Sequence, residues 1–167
     1  MLVNSDPIEY TSHSADQTRR MGIKLGESLQ AGDVICLQGD LGAGKTTFVQ
    51  GIAQGWGSTD AVSSPTFILV NIYRRAEQGK GRVTPSLLFH MDAYRLDSTP
   101  EAEELDLDSM LAQGALIIEW PERMETIIPA ERLWILFEHL GDQERGMTFN
   151  ARGHRAQTLL EIVRGGA

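Results

Sequence analysis

A single cysteine, Cys36, leaves this chain unable to form an internal disulfide. It falls inside an apolar run, "VICLQ", where a buried thiol is the expected role. Long apolar runs are missing as well, since none approaches the ~20 residues that a membrane span requires. The opening "MLVNSDPIEY" has no basic stretch followed by an apolar one, so it does not read as a secretory leader. These absences point to the cytoplasm. Positive charge is scarce, with 15 Lys and Arg against 23 Asp and Glu and a formal net charge of −8. A domain that grips DNA or RNA unaided needs a basic face. This balance argues against that role, although "YRRAEQGKGR" forms a local basic patch. An acidic surface suits a protein partner that carries basic patches. There is no internal repeat and no low-complexity tract. What is present, 41% hydrophobic and 23% charged residues over 167 positions, fits one soluble domain spanning residues 1–167.

Strand-like and helix-like segments alternate. Pro7 to Ser12 reads as an edge strand. Ser14 caps a helix running to about Gln30, with Gln17 as its capping-box partner. Val34 to Leu37 is a strand of the buried type. A helix follows from Lys45 to Gln54, ended by Gly55 and Gly57. Phe67 to Arg74 and Ser86 to Met91 read as a strand pair across a polar, glycine-bearing connector. "DSTPEAEEL" opens a helix capped by Ser98 or Thr99, and a short helix covers Ser109 to Gln113. "ALIIEW" is another buried-type strand, and Pro121 to Glu125 is one helical turn. Arg132 to His139, with Leu133, Ile135 and Phe137 inward, pairs with Met147 to Arg152, and a last helix runs from His154 to Val163. The alternation predicts an α/β fold whose sheet is mixed parallel and antiparallel and flanked by helices.

Between the strand at Val34 and the helix at Lys45 lies "GDLGAGKTT". Gly39, Gly44, Lys45 and Thr46 fit the phosphate-loop pattern G-x-x-x-x-G-K-[ST], in the strand-loop-helix setting that gives the pattern its meaning. Glycines let the backbone turn tightly so that its N–H groups approach phosphate oxygens. The following helix adds the positive end of its dipole. Asp40, Leu41, Gly42, Ala43, Gly44, Lys45, Thr46 and Thr47 are therefore expected to contact a nucleoside triphosphate. Lys45 would bridge the β- and γ-phosphates, and the Thr46 hydroxyl would bind Mg²⁺. No guanine-reading N-K-x-D motif is present, which favours ATP.

A metal and an attacking water need carboxylates at neighbouring strand ends. Two apolar runs end that way, "LLFHMD" at Asp92 and "ALIIE" at Glu119. One would ligate Mg²⁺ and the other would hold it through water or orient the attacking water. Lys45, Asp92 and Glu119 form the expected catalytic set, with Thr46, Glu119 and Asp92 around the metal. "SSPTF" is rich in hydroxyls, and Ser64, Pro65 and Thr66 suggest a switch-like loop whose threonine could reach the γ-phosphate or the metal; a plain Ser-Pro turn is the alternative. Trp120 is placed to pack over the nucleotide or in the core. His90 reads as a structural residue on the opposite or an adjacent face. The adenine pocket is not marked, although the turn at His13 to Ala15 or the C-terminal helix could supply it.

The ordered series "GDLGAGKTTF", "SSPTF", "HMDAYRL", "IIEWPE" resembles the TsaE family, the bacterial ATPase subunit of tRNA threonylcarbamoyladenosine biosynthesis. The resemblance implies an ATP- and Mg²⁺-binding protein, weakly hydrolytic alone. It would work with TsaB and TsaD and meet tRNA only through that complex. It matches Lys45 and Thr46 to the phosphate-loop pair, Asp92 to the family's essential aspartate and Glu119 to its metal-binding acid. Trp120 and Thr66 match the neighbouring tryptophan and the switch-like threonine. The connector "RRAEQGKGRVTPS" is longer than the pattern.

Two other function classes fit the phosphate loop alone. A small-molecule kinase would carry an arginine-bearing lid over the phosphates, and "PEAEELDLD" is acidic instead. A non-hydrolytic binding module would have little use for two metal-ready carboxylates.

Overall fold

In the computed structural model, residues 3–63, 70–75, 87–96 and 104–166 are described. Seven strands build one sheet: β1 (Ile8–Ser12), β2 (Val34–Gln38), β3 (Val70–Tyr73), β4 (Leu87–Asp92), β5 (Gly114–Glu119), β6 (Arg132–His139) and β7 (Arg145–Arg152). Their order is β1-β7-β6-β2-β5-β4-β3. The four central strands β6, β2, β5 and β4 run parallel. Antiparallel pairing closes both sides, β3 on β4 and β7 on β6 with β1 beyond. This is the expected α/β fold with a mixed sheet. Strands β2 and β5 are buried almost throughout, which is why they read as continuous apolar runs without alternation.

Each face of the sheet has its own core. Leu37, Leu88, Ile117, Ile135 and Phe149 lie on one face beneath α1 (Ala15–Ser28), α2 (Lys45–Trp56) and α4 (His154–Gly166). Cys36, Phe89, Leu116 and Ile118 face the other way, toward α3 (Leu107–Gln113) and residues 120–128. Cys36 is fully buried there, and burial pushes its thiol up to about 12, so it is an inert core residue.

Local signals placed most elements, with instructive differences. Ser14 caps α1 by accepting from the Gln17 amide, but the Gln17 side chain reaches the amide of His13 instead of that of Ser14. Helix α2 ends at Gly57, whose φ of 97° only glycine adopts freely. Gly55 does not end it. It lies within the helix against α1, where a Cβ would sit 2.0 Å from the Ile23 carbonyl oxygen. Gly22, Gly26 and Gly51 make matching close approaches, so two glycine pairs spaced four apart let α1 and α2 touch backbone to backbone. Helix α3 starts at Leu107, with Asp106 as its cap, rather than at Ser109. Gly114 both stops it and begins β5. The predicted strand from Phe67 is described only from Val70. The helix start at Ser98 or Thr99, most of the connector after Arg75, and the switch-like Ser64, Pro65 and Thr66 lie outside the described residues.

Candidate functional site

Parallel strands all deliver their C-terminal ends to one side of the sheet, and a crevice opens there where connections diverge. Here β2 feeds the glycine-bearing loop of residues 39–44 that leads into α2. Leu37 of β2 is level with Glu119 of β5, and Glu119 is level with Asp92 of β4. Register therefore brings Asp92 and Glu119 side by side next to the loop, on the face that carries α2.

The loop itself is shaped by glycine. Gly42 and Gly44 have φ of 77° and 103°, a region that side chains with a Cβ avoid. Gly44 occupies the cap position of α2 and has no side chain to cap the amides of the first turn. Asp40, Leu41 and Gly42 lie exposed along the loop, Ala43 is buried, and Thr46 and Thr47 stand at the start of the helix. Leu41 is 77% exposed, which is unusual for a large apolar side chain.

Lys45 is 5% exposed. Its ammonium donates to the Gly39 carbonyl and stands 4.1 Å from the centre of the Trp120 ring. Burial lowers its pKa, and the nearby carboxylates of Glu119, Glu122, Asp92 and Asp40 oppose that shift.

Asp92 is half-buried, and its Oδ1 accepts from the Tyr94 amide at 2.9 Å. Its pKa is raised, first by burial and then by the adjacent Glu119 charge, against the Tyr94 hydrogen bond. A raised carboxylate favours the folded state below its unfolded pKa, and this advantage is lost as pH rises through the folded pKa. Asp92→Asn, which keeps the acceptor for Tyr94, is therefore expected to melt higher than the parent at pH 7 without metal or nucleotide. The gain should shrink toward pH 4. Thermal melts across that range check it, and a gain that grows on acidification would contradict it.

Trp120 follows Glu119 directly and is the one non-glycine among the described residues with positive φ, 56°. That backbone turns the chain into a 3-10 turn at Pro121–Arg123 and brings the indole beside Tyr94, with ring centres 4.8 Å apart, and under Lys45. The left-handed region costs a side chain roughly 1–2 kcal/mol. Trp120→Gly should accordingly be more stable than Trp120→Ala by about 1 kcal/mol, although both lose the ring. Urea unfolding of the two variants measures the difference, and equal stability would show that the backbone is not strained.

His90 is the buried structural residue expected, but it does not lie on another face. Residues two apart on a strand share a face, so His90 lies on the face of Asp92 and Glu119. It is fully buried, with Nε2 2.7 Å from Glu119 Oε2 and Nδ1 2.9 Å from the Tyr73 hydroxyl. The spacing to Asp92 could have shown the shared face; the pairing with Glu119 depends on register between strands.

Beside the loop, on the α1 side, a hollow of about 280 Å³ is lined by Ala15, Thr18, Gly44, Thr47, Asp142, Gln143 and Arg145. Of the two stretches suggested for a base pocket, the first contributes Ala15 to this hollow. The C-terminal helix begins elsewhere, where Arg155 holds Asp33 at 2.8 and 2.7 Å before β2.

The sequence profile described as "Threonylcarbamoyl adenosine biosynthesis protein TsaE" matches residues 12–147. The "tRNA threonylcarbamoyladenosine biosynthesis protein TsaE" of Bacillus subtilis is 39% identical over 155 residues, covering 92% of both chains. That of Treponema pallidum is 38% identical over 138 residues, covering 82% of this chain and 96% of its own. A crystal structure of Bacillus subtilis YdiB superposes with a TM-score of 0.75 at 34% identity, covering 98% of this chain and 96% of that one. Four ordered motifs, one sheet and matches over most of the length lead to one conclusion: the chain belongs to the TsaE family of tRNA threonylcarbamoyladenosine biosynthesis proteins.

Proposed function

We propose that the chain binds and hydrolyses Mg-ATP in the cytoplasm to support a TsaB–TsaD transferase. That pair would place threonylcarbamoyl on the adenosine next to the anticodon in tRNAs reading codons that start with A. The observation that carries the reading is the level alignment of Glu119 and Asp92 beside a phosphate loop whose lysine is buried among acids. The residues present fit the ligand: an uncapped helix start for phosphate, a dry cation, and two carboxylates at strand ends.

In this reading the loop amides and Lys45 hold the β- and γ-phosphates, with Lys45 leaving the Gly39 carbonyl to do so. Thr46 and Glu119 would hold Mg²⁺, since β5 is the strand beside β2. Asp92, one strand further out, orients the attacking water. Mg²⁺ supplies charge neutralisation at the phosphates, and the protein supplies position. The adenine base occupies the hollow between Ala15, Thr47 and Arg145. Trp120 covers Lys45 and limits water around it. With a net charge of −8, the chain leaves tRNA to its partners and meets them through protein contacts.

Calorimetric titration with a non-hydrolysable ATP analogue tests the site. Mg²⁺ should tighten binding in the parent and should do so much less in Thr46→Ala. Binding that ignores both changes would remove the metal assignment.

A further inference from the structure

Glu119 is aimed by a buried hydrogen-bonded chain that crosses three strands. Tyr73 on β3, His90 on β4 and Glu119 on β5 are 3%, 0% and 5% exposed. A carboxylate only accepts, so the His90 Nε2–H donates to Glu119 Oε2 at 2.7 Å. Nδ1 lies 2.9 Å from the Tyr73 hydroxyl, and the direction of that bond depends on the tautomer. That hydroxyl donates to the Ser63 carbonyl oxygen at 3.2 Å, which also accepts from Asn71 Nδ2 at 2.9 Å. Among the described residues Glu119 accepts no other side-chain hydrogen bond. Oε2 is thus pinned by His90.

We propose that His90 and Tyr73 are positioning residues that fix the direction of the Glu119 carboxylate, and that Tyr73 makes this direction depend on the chain at Ser63. This inference rests on Glu119 being the metal acid. A simpler role, filling space beneath α2, would depend on side-chain volume alone. The positioning role depends on which atom donates. Gln can place an N–H where His90 has Nε2, whereas Asn places one near Nδ1. The two variants therefore separate the alternatives, and Tyr73→Phe removes only the hydroxyl.

Mn²⁺ affinity in the presence of the ATP analogue, read from the free-Mn²⁺ EPR signal, is the primary measurement. Outer partners of a metal ligand typically contribute ten- to a hundredfold in affinity. His90→Asn should weaken Mn²⁺ about tenfold, His90→Gln should restore most of that loss, and Tyr73→Phe should cost a few-fold. Metal-free binding of the analogue should stay at the parent's level in all three. Equal Mn²⁺ affinity for the Asn and Gln variants, or no loss in either, would reduce His90 to a packing residue. Amide exchange should quicken at Val62 and Ser63 in Tyr73→Phe, and an unchanged rate would remove the link to Ser63. Imidazole ¹⁵N NMR of the metal-free parent tests the chain without any ligand. A ring protonated at Nε2 whose shift moves in Glu119→Gln supports it, and a ring protonated only at Nδ1 overturns it. If the parent binds neither analogue nor Mn²⁺ while the NMR result stands, the proposed function fails and the hydrogen-bonded chain does not.

Discussion

Lys45→Ala should abolish turnover and weaken ATP by about a hundredfold, leaving the fold intact. Hydrogen bonds to charged groups contribute roughly 1.5–3 kcal/mol each, and 1.4 kcal/mol is tenfold in affinity. Lys45 would make such bonds to two phosphates. Its charge also offsets those of Glu119, Glu122, Asp92 and Asp40, and losing it makes the field at the loop more negative for an approaching nucleotide. Stability should change little, because the substitution removes a cation that burial already disfavours together with its bond to Gly39. Lys45→Arg should not rescue function. Its planar fork needs more room than an ammonium beside the Trp120 ring provides. Calorimetry and a thermal melt on the same samples separate loss of binding from loss of fold. An undiminished rate in Lys45→Ala would remove the phosphate-loop assignment.

Gly26→Ala should be among the most damaging conservative changes for stability. The added Cβ would sit 2.0 Å from the Ile52 carbonyl oxygen and 2.8 Å from the Trp56 amide nitrogen. Both are backbone atoms of α2 and cannot swing aside like the end of a side chain. Relief requires α2 to move away from α1, and α2 is the helix that carries Lys45 and Thr46. Overpacking of this kind costs about 1–3 kcal/mol, sometimes more. At roughly 2–4 °C per kcal/mol for a domain of this size, Tm should fall by about 5–10 °C. Gly165→Ala is the control, since nothing lies within 4 Å of its added Cβ and alanine is the better helix former. If Gly26→Ala melts with the parent, the two helices are not in backbone contact. ATP affinity should also drop in the folded Gly26→Ala protein, because the loop's position depends on that contact.

These two sites differ in how readable they were. The phosphate loop is legible because its chemistry is local: the turn, the lysine and the helix start are consecutive residues. Asp92 and Glu119 were legible as acids ending apolar runs, although only the register of β4 on β5 makes them neighbours. The mixed sheet followed from the apparent hairpin at β3 and β4 and the strand pair at β6 and β7. The α1–α2 contact left a signal that was passed over, glycines four apart at Gly22 and Gly26 and at Gly51 and Gly55. Spacing alone does not say which two helices cross, and Gly55 was taken for a helix stop. His90 shows the same limit. Alternation with Asp92 carried its face, a signal also passed over, whereas its bond to Glu119 joins residues 29 apart and exists only once strands are paired. The positive φ of Trp120 is set by what the chain must reach after β5, and no residue type announces it.

Phosphate release from Mg-ATP, measured for the chain alone and then with the TsaB–TsaD pair, tests the central claim most directly. Slow release alone that rises when the pair is added, and that is lost in Glu119→Ala, is the expected result. Release that ignores the pair, or ADP formed in step with a phosphorylated metabolite, would contradict it.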